Sequence, residues 1–499
     1  MPRGWRWPGS SIGGAYSGRS ACGSETTANA RGAGPRAAVA EPASFRDPSS
    51  RVFYADDGTV LRGLTAEALE DFRHVAGTEF FTRESADGRI VGTELLEPAP
   101  AGLDGYAAAL RHERVPFVSY PYEWSFSMLR EAALLQLELL LAALDEDVIL
   151  KDGSSYNVQW RGSTPVFVDV GSLERVRPGD AWAGYRQFCT LNLYPLLLQA
   201  YRGVPFNAWL RGSLEGIAPS DMRRLLSPRD AFRRGVFTHV RLHSSLERRL
   251  GPSERNLRAE LRDAGFGTAL VRANVRRLRR LVRGLHARPS ESGWTGYGPT
   301  TTYDEADAAR KADFVHGAAA EGRHELVWDL GAANGHYTRL AARHARYTVA
   351  LDADPAVVDG LFRALAAEGD RSILPLVADL ADPPPGLGWR GRERVPLADR
   401  GRPDLVLCLA VVHHLALSAN VPLAEVVAWL RSLGAALVVE FVDPDDPMAR
   451  RLLDRKREHL HDDYRRETFE RLLGEAFRIA RSQELASGRR VLYLCRPGA

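Results

Sequence analysis

Val327-Trp328-Asp329-Leu330-Gly331-Ala332-Ala333-Asn334-Gly335 is the stretch whose reading decides the fold. An apolar run ends at Leu330, and Gly331 and Gly335 follow on what reads as a strand-to-helix turn. Residues without a Cβ there let a ligand approach the backbone. A dinucleotide pyrophosphate calls for GxGxxG, whereas the spacing here is GxxxG, so a nucleoside site is the better fit. Working outward, residues 326–330, 347–351, 373–377, 404–409 and 435–441 are short apolar runs with helical stretches between them. That alternation is the pattern of βαβ units on a parallel sheet. Residues 478–482 and 491–495 are placed to close it as a hairpin. The second run leads into Asp352, where a carboxylate can accept hydrogen bonds from both ribose hydroxyls of a nucleoside. The third leads into Asp379-Leu380, an acid and an apolar side chain suited to an adenine amino group and ring.

This half of the chain, about residues 300–499, resembles the class I S-adenosylmethionine-dependent methyltransferases. The resemblance rests on the 329–335 turn, Asp352, Asp379 and the run at 404–409. It implies a Rossmann-like α/β domain with a mostly parallel seven-stranded sheet, and S-adenosylmethionine as cofactor. Asp329, Gly331, Ala333, Asn334 and Gly335 would then surround the methionine part, Asp352 the ribose, and Asp379 with Leu380 the adenine. Ala410-Val411-Val412-His413-His414-Leu415 follows the fourth run, and many small-molecule methyltransferases have a similar His-His-Leu segment. His413 or His414 is therefore a candidate base for a substrate hydroxyl or amine; packing at a helix start is the plainer reading. The Asn/Asp-Pro-Pro-Tyr motif of nucleic-acid amino-methyltransferases is absent, which favours a small-molecule or glycan acceptor over nucleic acid. Glu440 either lines the substrate mouth or is an ordinary loop acid.

A second constellation lies upstream. Lys151-Asp152-Gly153-Ser154-Ser155-Tyr156-Asn157 and then Val166-Phe167-Val168-Asp169 give the order Asp-x4-Asn…Asp. In kinases the first Asp accepts the substrate proton, while the Asn and the second Asp hold magnesium. The segment is similar to atypical kinases and small-molecule phosphotransferases, with Asp152, Asn157 and Asp169 in those places. Against a working kinase, no lysine precedes Lys151 and residues 51–110 contain no GxGxxG loop. An unrelated helical domain with a polar turn is the alternative. Together with Ser119-Tyr120-Pro121-Tyr122-Glu123-Trp124, the chain resembles a bacterial group of methyltransferase-like proteins that includes host-specific nodulation proteins. On that resemblance Tyr303 and Lys311 either reach the cofactor or acceptor, or belong to a linker packed on the sheet.

The 499 residues exceed the usual ~150-residue domain about threefold, so two or three domains are expected. Gly, Ala, Ser and Pro supply 30 of the first 50 residues, which predicts a disordered lead over 1–50. A mainly helical α+β accessory domain is expected over 51–287, a linker over 288–302 and the methyltransferase domain over 303–499. The net charge of +3 steers the molecule to no polyanion, although residues 221–288 hold 18 Arg against six Asp and Glu. The leucines and valines at 270, 271, 275, 278, 281, 282 and 285 have helical spacing, which gives that block one core face and one solvated basic face. Four separated cysteines, with no CxxC pair, argue against structural zinc and a disulfide framework, so no metal is expected. No apolar run reaches the ~20 residues of a spanning helix, and no signal peptide follows Arg3 and Arg6, so a cytoplasmic protein is expected. The expected activity is methyl transfer to an O or N of a small molecule or glycan, in secondary metabolism. The alternatives are a non-catalytic scaffold of kinase-like and nucleoside-binding modules, and an atypical Mg-ATP phosphotransferase.

Overall fold

Five short strands near the start of the chain pair before any long helix appears. A computed structural model describes residues 38–177, 182–245, 267–288, 305–454 and 461–498. Val39–Ala40 (β1), Ser50–Tyr54 (β2), Val60–Leu64 (β3), Thr93–Leu96 (β4) and Ala108–His112 (β5) form an antiparallel sheet in the order β1-β2-β3-β5-β4. Two helices, Ala66–Ala76 and Glu79–Ala86, join β3 to β4, each started by a threonine whose hydroxyl accepts a backbone N–H of the first turn. Phe126–Ala143 is apolar on nearly every face and is correspondingly buried. Val148–Leu150 (β6), the hairpin Val158–Arg161 (β7) and Thr164–Phe167 (β8), and Leu173–Arg175 (β9) follow; β9 returns antiparallel to β6. Residues 89–91, which alternation suggests as a strand, contribute one bridge, Ile90 to Phe167. Helix Thr268–Arg283 lays Val271, Val275, Leu278 and Val282 inward and leaves Arg276, Arg277 and Arg280 in solvent. Leu270 departs from the expected core face and is 48% exposed.

The runs after residue 320 form the second sheet. Its strands are His324–Leu330 (β10), Ala345–Asp352 (β11), Ile373–Val377 (β12), Leu405–Cys408 (β13), Ala436–Val442 (β14), Phe477–Glu484 (β15) and Arg490–Pro497 (β16). Their order is β12-β11-β10-β13-β14-β16-β15, parallel through the first five, with β16 antiparallel between β14 and β15. The chain leaves β10 toward β11 on one side and returns to β13 on the other. The carboxyl ends of β10, β11 and β13 therefore border the crevice where the strand order reverses, the usual ligand position of open α/β sheets.

The buried apolar residues from Leu64 to Cys495 belong largely to one continuous cluster. Phe117 meets the edge of Trp328 at 6.1 Å, and Trp160 that of Phe362 at 5.3 Å. The Gly162 N–H donates to the Tyr347 hydroxyl, and Asp359 accepts from Ser125 Oγ and the Ser127 N–H at the start of helix Phe126–Ala143. Arg400 and Glu123, both buried, form a two-pronged ion pair. Residues 38–50 correct the expected disordered lead: they hold β1 and a short turn of helix, Pro42–Arg46, whose Arg46 pairs with Glu393 at 2.6 Å. Residues 1–37 and nearly all of the expected linker lie outside the described residues, as does Cys22. Cys189, Cys408 and Cys495 are buried and form no disulfide. Among the described residues no helix is long and apolar enough to cross a membrane.

Removing one partner of a buried ion pair leaves a charge without compensation, at a cost of about 3–5 kcal/mol. Arg400→Ala is accordingly expected to lower the unfolding free energy by about that amount. Urea denaturation followed by circular dichroism measures it, and a loss below about 1 kcal/mol would contradict the role given to the pair.

Candidate cofactor site at the carboxyl edge of the second sheet

The turn after β10 is held open by its backbone. Gly331, Ala333 and Gly335 all have positive φ, at 79°, 48° and 77°. A Cβ on Gly331 would come within 2.4 Å of Val411 Cγ2, and one on Gly335 within 2.6 Å of Leu361 Cδ1. Gly331 is thus favoured by conformation and by the space that the stiff Val411 leaves, and Gly335 chiefly by conformation. Ala333 takes the left-handed conformation without being glycine, the kind of local strain that gathers at ligand sites. The N–H groups of Gly331 and Ala332 both donate to the Leu351 carbonyl, which ties the turn to β11. Asn334 Oδ1, exposed, accepts the His336 N–H at the start of the helix His336–Ala342.

Asp352 ends β11 beside this turn. One carboxylate oxygen accepts the Ala333 N–H at 2.9 Å and the other the Asp354 N–H at 3.0 Å. A carboxylate has about four lone-pair sites, so each oxygen keeps capacity for one more donor. Burial raises the Asp352 pKa, and backbone donors at Asp354, Ala333 and Ala353 oppose that rise. Asp379 is exposed after β12 and accepts the Ala381 N–H, with Leu380 half-buried against the core. Asp329 differs from both. It is buried, accepts a hydrogen bond from Thr338 Oγ1 at 2.5 Å, and is pushed up to about 6, chiefly by burial.

Behind Asp329 lies a buried charge network. Lys311, from helix Glu305–Ala319, pairs with Glu440 at 2.7 Å and stands 4.6 Å over the Tyr337 ring. Arg490 of β16 reaches Glu440 at 3.3 Å and Asp446 at 2.8 Å. Glu440 is therefore a fully buried member of β14, neither at an open mouth nor in a loop. Lys311 likewise packs into the fold, and burial lowers its pKa. Tyr303 lies outside the described residues. His413 is buried and His414 half-buried, with ring centroids 4.1 Å apart. Burial holds His413 well below its ordinary pKa and, with the Arg490 charge, brings His414 down to about 4. Both imidazoles are neutral at physiological pH. Thr338 and Arg490 were not legible as site residues; Arg490 meets Glu440 only through the antiparallel pairing of β14 with β16.

The upstream residues also come near one another. The Val168 N–H donates to the Asn157 carbonyl, which sets Asp169 beside the Asp152–Asn157 loop. Burial, and then the Asp169 charge, push Asp152 up to about 6. Arg62 of β3, an arginine where a kinase strand would carry lysine, pairs with Asp169 at 2.9 Å.

No family model matches the chain. Nodulation protein NoeA of Rhizobium meliloti (strain 1021) is 34% identical over 455 residues, which are 90% of this chain and 94% of NoeA. Among solved structures, N-methyltransferase NodS from Bradyrhizobium japonicum WM9 is 14% identical, covering 39% of this chain and 99% of NodS, with a TM-score of 0.29. Magnesium protoporphyrin IX methyltransferase (ChlM) from Synechocystis PCC 6803 with bound SAM is 20% identical, covering 40% of this chain and 87% of ChlM, with a TM-score of 0.28. Likenesses at those scores carry no weight for function, whereas the identity to NoeA runs through both sheets. The chain belongs to the family of the nodulation protein NoeA.

Proposed function

We propose that this NoeA-family chain is an S-adenosylmethionine-dependent methyltransferase acting on an O or N of a small molecule or glycan of secondary metabolism. One observation carries the reading: Asp329, Asp352 and Asp379 stand at or just after the carboxyl ends of three adjacent parallel strands, beside a turn whose two glycines have no room for a Cβ. The strand order, with its antiparallel β16, supports it as the order of the class I methyltransferase sheet. The residues suit the cofactor chemically. The unused lone pairs of Asp352 match a ribose diol, and Leu380 offers an apolar face for a base. Asp329 is a buried carboxylate whose ionisation is disfavoured by burial, and a ligand ammonium group would restore it. Bound S-adenosylmethionine supplies an electrophilic methyl group on a sulfonium sulfur.

The chain's own part is to hold the acceptor O or N in line with that group and to exclude water. His414, half-buried, is the more exposed of the two imidazoles, and His413 packs against it. With a pKa near 4, His414 accepts a hydrogen bond from an acceptor O–H or N–H but is a weak base. Positioning, rather than proton abstraction by histidine, dominates the rate.

Three outcomes test this. Asp352→Ala should weaken S-adenosylhomocysteine binding at least tenfold by calorimetry; unchanged affinity would remove Asp352 from the site. Wild-type binding should tighten as pH rises from 5 to 7, because Asp329 loses its proton through about 6 and only the anion pairs with the ligand ammonium. Asp329→Asn should flatten that dependence. Once an acceptor is found, kcat should show no step near pH 6.5, since both histidines are already neutral there.

A further inference from the structure

The amino-terminal part carries polar residues that the methyltransferase reading leaves without a use. Loop 151–157, between β6 and β7, is anchored from several sides. Gln187 accepts the Gly153 N–H at 2.8 Å, Asn192 donates to the Gly153 carbonyl at 2.9 Å, and Gln136 donates to the Ser154 carbonyl at 2.8 Å. Asn192 and Gln136 are themselves buried. A Cβ on Gly153 would meet the Gly184 carbonyl at 2.3 Å, so this part of the loop accepts only glycine. Such support fixes the direction of Asp152 and Asn157 at either end.

Facing them, the β7–β8 hairpin leads into Asp169-Val170-Gly171. Arg62 descends from the middle of β3, 9% exposed, and its guanidinium reaches Asp169 at 2.9 Å and Ser50 Oγ at 3.1 Å. Gly171 makes this approach possible, because a Cβ there would stand 2.9 Å from Arg62 Nη1. Two further donors point nowhere within the protein: Arg62 Nε and Asn157 Nδ2 are buried with no hydrogen-bond partner among the described residues. Asp152 and Asp169 are close enough for the charge of one to hinder ionisation of the other.

Two carboxylates and an amide oxygen are too few for a resident metal cage, and among the described residues no group of three or more His, Cys, Asp or Glu is arranged to hold an ion. They are, however, what magnesium uses when phosphates supply its remaining ligands. A buried arginine fork beside them matches phosphate oxygens, which accept bidentate N–H donation. The order Asp152, Asn157, Asp169 along the chain is the order such phosphate–metal sites use. We propose that Arg62, Asn157 and Asp169, with Asp152 opposite, form a second ligand site that takes a nucleoside triphosphate together with a divalent cation. Asp169 and Asn157 meet the cation, and Arg62 moves from Asp169 to the phosphates as the cation replaces it.

Calorimetry on the full chain with ATP as probe tests the site, with and without magnesium. Mg-ATP should bind the wild type, and affinity should fall at least tenfold both in EDTA and in Asp169→Asn. Circular dichroism and the Tm report whether that variant is folded. If it is not, Asn157→Ala, which breaks no ion pair, is read in its place and should weaken Mg-ATP binding at least threefold. S-adenosylhomocysteine binding is measured in parallel on the same samples, so failure of the cofactor reading is seen separately. No binding at millimolar Mg-ATP would overturn the proposal. So would binding that is indifferent to EDTA, or equal in wild type and the folded variant.

Discussion

The buried pair of Glu123 and Arg400 is the constraint on which the arrangement of this chain depends. Two charges taken out of water cost several kcal/mol each unless geometry and further hydrogen bonds compensate. Here the compensation is close at hand. Glu123 also accepts the Tyr120 N–H, Arg400 also donates to the Val118 carbonyl, and the guanidinium lies 4.7 Å from the Tyr120 ring centroid. Arg400 belongs to the segment before β13, so the pair fixes segment 117–124 against the second sheet. Two residues later Ser125 starts the long buried helix, with Asp359 of the second sheet's helix Pro355–Glu368 accepting at its N-terminus. One short segment thus sets both the start of the long buried helix and its contact with the second sheet.

The second sheet was legible because its strands are short apolar runs separated by helices, a signal that survives without knowledge of pairing. The position of Asp352 was legible for a related reason: the apolar run before it ends where β11 ends, beside the glycine turn. What could not be read were partners that depend on register. Arg490 reaches Glu440 only because β14 and β16 run antiparallel, and Thr338 reaches Asp329 across a turn. Arg62 was missed for a chemical reason. The expectation was framed in terms of lysine, and in a chain nearly without lysine a guanidinium stands on the strand instead. Residues 38–50 look too poor in apolar side chains to fold, yet β1 gains its place by hydrogen bonding to β2 and Arg46 by pairing with Glu393. Composition does not register either contact.

The charges beneath the cofactor turn form an uneven set. Lys311 and Arg490 are shared among Glu440 and Asp446 in direct contact, while Asp329 accepts from the neutral hydroxyl of Thr338. Lys311 still eases Asp329 at longer range, without offsetting its burial. The site therefore carries a carboxylate that is under-compensated until a cation arrives. Preorganised charge of this kind favours a ligand with a positive group over an otherwise identical neutral one.

The continuous core has an evolutionary consequence. Trp328 and Phe362 of the second sheet's layers rest on Phe117 and Trp160, and the Tyr347 hydroxyl serves as acceptor to a residue of the β7–β8 turn. A recombination event that exchanged either part for a foreign one would have to replace both surfaces at once, aromatic by aromatic. That condition is demanding, so the two parts are expected to descend as a single heritable unit. The alignment with NoeA, which spans 94% of that protein rather than one half of it, is what such joint descent leaves behind.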